Sequence, residues 1–187
     1  ILPSISTGEI LGFLLTLFWI VSITNALNWM DGLDGLAAGI TIISCFGFFV
    51  IGIINHDLYS CTLSCITIGS CLGFLKYNKY PAIILMGDGG SYFLGFILSC
   101  LGIISNFNSN QTYSSTLFIG TIFFVLLFLA DMIYVIIRRL ISRKSPFFPD
   151  RNHLHHRLLR LGFNHKKTVY LIYLLNSIFV FIGILIS

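Results

Sequence analysis

Charge is the scarcest commodity in this chain. Only 10% of its 187 residues are Asp, Glu, Lys or Arg, while 56% are hydrophobic and the mean hydropathy is +0.92. An ordinary soluble domain carries about 25% charged residues, so this sequence cannot clothe a globule in polar surface. That excludes a soluble module and points to an integral membrane protein. The formal net charge of +4 does not indicate a nucleic-acid partner, because its placement follows the membrane. The five cysteines (Cys45, Cys61, Cys65, Cys71 and Cys100) lie in apolar stretches with no Cys-x-x-Cys pair. Neither a disulfide framework nor a zinc site is indicated, and they read as small apolar helix residues. There is no initiator Met and no charged leader before the first apolar run, so residues 1–26 do not read as a signal peptide.

What the chain has in abundance is long apolar runs. They fall at residues 8–26, 36–54, 59–75, 90–105, 116–137 and 168–186, each near the ~20 residues a helix needs to span a bilayer. The predicted fold class is therefore all-α, a polytopic membrane protein of about six transmembrane helices in one domain over 1–187. Lys76 and Lys79 fall between the third and fourth runs, and the other nine basic residues, Arg138 to Lys167, between the fifth and sixth. Alternating spans put both loops on one side, which the positive-inside rule makes cytoplasmic. The opposite side carries His56–Asp57 and the neutral loop SNFNSNQTYSS.

Three polar clusters converge on the basic face. The first is NALNWMDGLDGLAAG, residues 25–39, where Asp31 and Asp34 stand at the lip of the second span behind Asn25 and Asn28. One Asp there suits helix capping; two acids at i and i+3 repel, which favours a polar cradle for a ligand. The second is PAIILMGDGGSYFLG, residues 81–95. Its glycines permit close backbone approach, and a helix opening near Ser91 can hold phosphate. Asp88 would repel that phosphate unless a cation intervened, and Mg²⁺ suits one or two carboxylates plus phosphate oxygens. A tight glycine turn with a capping Asp is the plainer alternative.

The third cluster is SPFFPDRNHLHHRLLRLG, residues 145–162. Asn152 can cap a short helix and Gly162 can end it. On that helix His153, His156, Arg157 and Arg160 share one stripe, opposite Leu154, Leu158 and Leu161. An interfacial amphipathic helix, a histidine metal site, and a phosphate-binding wall including Arg151 all remain open. Asp131 lies inside the fifth run; it should face the bundle interior, with Arg138 two turns on as its expected partner.

Taken in order, NALNWMDGLDGLAAG, MGDGGSYFLGF, LADMIYVIIRR and PDRNHLHHRLLRLG resemble the motifs of the polyprenyl-phosphate N-acetylhexosamine-1-phosphate transferases (glycosyl transferase family 4). His-x-His-His at 153–156 is similar to the undecaprenyl-phosphate GlcNAc-1-phosphate transferase branch. The resemblance implies an enzyme of the plasma (inner) membrane with a cytoplasmic active site. Such enzymes transfer a sugar-1-phosphate from a UDP-N-acetylhexosamine to polyprenyl phosphate, releasing UMP, with Mg²⁺ required and Mn²⁺ as a substitute. By position it implies Asp88 as the metal ligand. Asp31, Asp34, His153, His155 and His156 take catalytic roles, and Asn25, Asn28 and Arg151 bind substrate.

Two departures from the family pattern stand out. Leu85 occupies a place where an aromatic is common, and the earlier paired-aspartate motif is not among these residues. The resemblance thus implies the C-terminal part of an enzyme, inactive by itself. A non-catalytic remnant is the alternative, whereas a transporter is disfavoured because Asp131 is the only ionisable residue clearly inside a span.

Overall fold

A computed structural model describes residues 7–107, 115–143 and 152–187 of the chain. Arg151, Lys144 and most of the neutral loop fall outside them. The described residues form helices without a strand. They are α1 (Thr7–Met30), α2 (Leu36–Ile54), α3 (Leu58–Asn78), α4 (Gly87–Phe107), α5 (Ser115–Phe123), α6 (Leu126–Ile141), α7 (Leu154–Arg160) and α8 (His165–Ile186). Among the described residues five helices are long and apolar enough to cross a membrane, and α5 with α6, bent by 72° at their break, brings the number to six when the pair counts as one span. The all-α polytopic expectation holds.

The innermost helix is α2, which is apolar almost all round, as a helix surrounded by protein should be. Leu36, Ile40, Phe48 and Ile51 are buried on it, and α3 and α8 pack along its flanks. On the other side α1 pairs with α4. Their approach is close at Gly95, where a Cβ would stand 2.7 Å from the Thr24 Cα. Small residues at such crossings let membrane helices pack backbone to backbone.

The fifth span departs from the straight helix expected over 116–137. It breaks between Phe123 and Leu126 although the run holds no proline. Non-helical backbone at membrane depth survives only where protein satisfies it. Here the Ser44 hydroxyl donates to the Phe124 carbonyl at 2.6 Å, and Asn176 Nδ2 donates to Ser44 Oγ at 3.3 Å and to the Ile40 carbonyl at 3.2 Å. Phe124 is also held edge-on against Phe48, with ring centroids 4.9 Å apart. The bend has a consequence for the site. While α5 packs on α8, α6 crosses to α1, carrying Asp131 toward the end of α1 where the first polar cluster lies.

Candidate active site

The first helix runs to Met30, four residues beyond its expected end, so Asn25 and Asn28 are helical. There the chain turns sharply. Asp31 N–H donates to the Asn28 carbonyl at 3.1 Å and Gly32 N–H to the Met30 carbonyl at 2.8 Å. The capping reading of Asp31 and Asp34 fails: the N-cap of α2 is Gly35, left-handed at φ +80°, with no side-chain cap bond. Asp34 instead accepts the Ala82 N–H through Oδ2 at 3.0 Å. Gly35 N–H donates to Asn78 Oδ1 at 3.0 Å, and Asn78 Nδ2 donates to the Ile84 carbonyl at 2.9 Å. The 31–35 loop is thereby stapled to the segment leading into α4.

Asp88 lies in the first turn of α4, where a carboxylate suits the positive end of the helix dipole. Asn28 Nδ2 bridges to it, donating to Asp88 Oδ1 at 3.2 Å and to the buried Ser91 Oγ at 2.9 Å. These links close a cleft of about 300 Å³ walled by Asp31, Asp34, Asn78, Leu85, Met86 and Asp88. Burial, then the charge of Asp88, then that of Asp34 push the Asp31 carboxyl up to about 6. Three acids thus face one cleft, where burial and the other two charges disfavour ionising Asp31, and a cation there would relieve that.

Among the described residues, no group of three His, Cys, Asp or Glu closes into a metal cage. Mg²⁺ does not require one, since it takes one or two carboxylates and completes its shell with water and phosphate oxygens. The hard carboxylate donors of Asp31 and Asp88 fit that ion, and their conflict in its absence is the observation that supports the fit.

The histidine segment closes on the same place. His153, not Asn152, is the N-cap of α7; Asn152 Oδ1 accepts from Arg160 Nη2 at 3.1 Å. Gly162 ends the helix as expected, at φ +91°, with the Phe163 N–H reaching back to the Leu158 carbonyl at 3.3 Å. The expected pairing of Asp131 with Arg138 is corrected. Arg138 is exposed, and the buried Asp131 carboxylate accepts from His153 Nδ1 at 2.8 Å and from the Leu154 N–H at 2.7 Å. Arg138 lies further along α6 toward the surface, whereas the 72° bend aims Asp131 at the histidine segment.

The stripe expected on α7 is also redrawn. His153 and His155 turn inward, while Arg157 lies over the Tyr134 ring at 4.7 Å and Arg160 binds Asn152. His155 is 1% exposed and packs on Gly32, where any Cβ would collide with its ring. Neither of its ring nitrogens has a hydrogen-bond partner among the described residues. Burial first, then the neighbouring His156 and His153, lower its pKa to about 4 against the pull of Asp131. It is a neutral imidazole beside the acidic cleft. The His155 and His156 rings lie 4.2 Å apart, and Trp29 meets His153 edge-on at 5.6 Å.

Of the residues singled out by sequence, the structure brings Asp31, Asp34, Asp88 and Asn28 to one cleft, with His153, His155 and His156 adjoining it. It does not bring Asn25, whose side chain donates to the Val21 carbonyl of its own helix at 2.8 Å. Arg151 lies outside the described residues. Sequence reasoning missed Asn78, buried to 3% exposure at the join of two loops; within LKYNKYP it resembles any solvated loop residue.

A polytopic helical membrane protein with an acidic cleft on its basic face is the class these features define. Residues 1–106 match Glycosyl transferase family 4, and the chain belongs to that family. It is 42% identical over 165 residues to the Probable undecaprenyl-phosphate N-acetylglucosaminyl 1-phosphate transferase of Bacillus subtilis (strain 168), covering 88% of this chain and 45% of that protein. It is 39% identical to the Decaprenyl-phosphate N-acetylglucosaminephosphotransferase of Mycobacterium leprae (strain TN), over 90% of this chain and 46% of that one. Against the Phospho-N-acetylmuramoyl-pentapeptide-transferase of Chlamydia trachomatis serovar L2 it is 37% identical, over 98% of this chain and 53% of the relative. The chain spans about half the length of the curated relatives it matches.

Proposed function

We propose that this chain supplies the acidic cleft of an Mg²⁺-dependent enzyme that transfers N-acetylhexosamine-1-phosphate, GlcNAc-1-phosphate in the first instance, from a UDP-sugar to polyprenyl phosphate. The observation that carries the reading is the convergence of Asp31, Asp34 and Asp88 on one cleft at the basic membrane face, with the histidine segment docked at Gly32. The names of the relatives favour GlcNAc over other sugars and a transferase over a non-catalytic remnant. By the positive-inside rule the cleft faces the cytoplasm, where a soluble nucleotide sugar meets a lipid-anchored acceptor. The product would begin a cell-envelope polysaccharide.

In such a transfer an oxygen of the lipid phosphate forms a bond to the sugar-bearing phosphorus. The pyrophosphate bond breaks, and UMP leaves with the electron pair. Catalysis of phosphoryl transfer rests mainly on positioning and on stabilising charge. Asp88 and Asp31 would hold Mg²⁺, which supplies neutralisation of the pyrophosphate oxygens when bound. Asn28 fixes the Asp88 carboxylate from α1, and the backbone link from Ala82 fixes Asp34. His155, neutral beside Gly32 and without a hydrogen-bond partner among the described residues, can donate a hydrogen bond to a substrate oxygen or accept one from a hydroxyl without adding charge. His153, held by Asp131, anchors the segment that positions it.

The test uses the whole protein, purified with undecaprenyl phosphate and radiolabelled UDP-GlcNAc. Label should move to the lipid in step with UMP release and stop when EDTA is added. Label that stays on the nucleotide, or transfer that ignores EDTA, contradicts the proposal.

A further inference from the structure

A second cleft backs onto the first. About 360 Å³ in volume, it lies between the basic-face ends of α3 and α8, with Asp34 as the wall shared with the acidic cleft and Gly35 next to it on the second cleft's side. Lys79 and Lys166 line its mouth, and Tyr80 and His165 stack across it with ring centroids 4.3 Å apart. Its one carboxylate, Asp34, is engaged by the Ala82 N–H, so the mouth is net positive.

Behind the mouth the surface turns apolar. Both α3 and α8 pack along α2 and scarcely on each other, leaving a seam floored by α2. Gly35, Gly39, Ile42 and Phe46 form one stripe on that helix, at i, i+4, i+7 and i+11. The stripe faces the seam: a Cβ at Gly35 would meet Leu75 of α3 at 3.2 Å and the Tyr173 hydroxyl of α8 at 3.6 Å. Phe46, on the most enclosed helix of the bundle, is nonetheless 54% exposed. The seam is therefore open along this stretch of α2.

We infer that this cleft binds an anionic glycerophospholipid, its headgroup phosphate between Lys79 and Lys166 and an acyl chain along Ile42 and Phe46, past the Tyr173 ring that covers Gly39. Charge complementarity argues for the anionic headgroup, because basic residues at a membrane surface attract such lipids. Tyr80 just past the end of α3 and Tyr170 near the start of α8 are amphipathic rings at helix ends, the kind of residue that gathers at membrane interfaces. The shared wall gives the lipid a reach into the acidic cleft. His165 Nε2 lies 3.4 Å from the Asp34 carbonyl, and the Tyr173 hydroxyl donates to the Gly35 carbonyl at 2.6 Å. A headgroup that holds α3 and α8 together at Tyr80 and His165 therefore holds the loop bearing Asp31 and Asp34. The inference does not depend on the transferase reading.

Native mass spectrometry of the detergent-purified protein, offered equal phosphatidylglycerol and phosphatidylcholine, tests it. The wild type should retain phosphatidylglycerol about thirtyfold better, a size set by two basic residues near the membrane surface. Lys79→Gln with Lys166→Gln should abolish that preference, and Lys79→Arg with Lys166→Arg should keep it. Both lysines are exposed, so neither pair of changes threatens folding. A Gln variant that keeps the wild-type preference for phosphatidylglycerol overturns the inference. So does displacement by inorganic phosphate, which would mark a free-anion site, or by equimolar undecaprenyl phosphate, which would mark an acceptor site. A dimer that forms and sheds the lipid also overturns it.

Discussion

The carboxylate of Asp131 accepts the Nδ1 proton of His153 at 2.8 Å, joining the broken fifth span to the histidine segment. Its other oxygen takes the Leu154 N–H, so both oxygens are committed and the pair is buried. A charge-assisted bond of this kind contributes about 1.5–3 kcal/mol. Asp131→Asn keeps an acceptor for Leu154 but loses the charge, and should lower the thermal midpoint. Asp131→Leu should lower it further and raise amide exchange across residues 152–161 in particular. Exchange that rises uniformly over the chain would contradict the local role.

Gly32 and His155 fit as backbone under ring. Gly32→Ala puts a methyl into the imidazole and should cost about 1–3 kcal/mol, the usual scale of overpacking. His155→Ala removes the obstacle. The double variant should then be more stable than the sum of the single changes allows, a coupling of at least about 1 kcal/mol in a thermal double-mutant cycle. Additive costs would mean that the ring is not the constraint.

His155 also sets an acid limit. Its pKa is lowered to about 4 in the folded chain, against about 6.5 when unfolded. Burying the neutral ring therefore stabilises the fold above pH 6.5, and that contribution is lost as pH falls toward 4. The loss should reach at most about 3 kcal/mol. Thermal midpoints measured from pH 7 to pH 4 should fall more steeply in the wild type than in His155→Leu. Parallel profiles would contradict this.

Asp31 behaves in the opposite sense. Its carboxyl is pushed up to about 6, so its contribution is full below about 4 and lost as pH rises through 6. At pH 7.5 without metal, the cleft carries repelling carboxylates. Mg²⁺ should therefore raise the thermal midpoint more at pH 7.5 than at pH 5. Asp31→Asn should raise the metal-free midpoint at pH 7.5 and blunt the response to Mg²⁺. A response to Mg²⁺ of equal size at both pH values would refute the link.

Much of this was legible in residue order. Long apolar runs dictate the helices, and placing every Lys and Arg in two loops marks the face where the acids converge. Gly162 announces the end of α7 because only a left-handed residue closes a helix that way. The break at Phe124 was not legible: the run is apolar on both sides, and what permits it is a hydroxyl on α2 some 80 residues away. The partner of Asp131 was hidden for the same reason, since without the 72° bend Arg138 is the nearest opposite charge in sequence. Asn152 looked like a cap, but the Asp131 carboxylate takes the Leu154 N–H and shifts the helix start to His153.

The most direct measurement is the rate of UMP release by the whole protein carrying Asp88→Asn, with UDP-GlcNAc and undecaprenyl phosphate at saturating Mg²⁺. Asn preserves size and keeps an oxygen that can accept from Asn28, so the join of α1 to α4 should survive and the thermal midpoint should stay near wild type. Loss of the charge that would hold the metal should cut turnover at least about 100-fold, as removal of a main electrostatic stabiliser does. Turnover undiminished in a folded Asp88→Asn enzyme would contradict the assignment of this cleft as the reacting site.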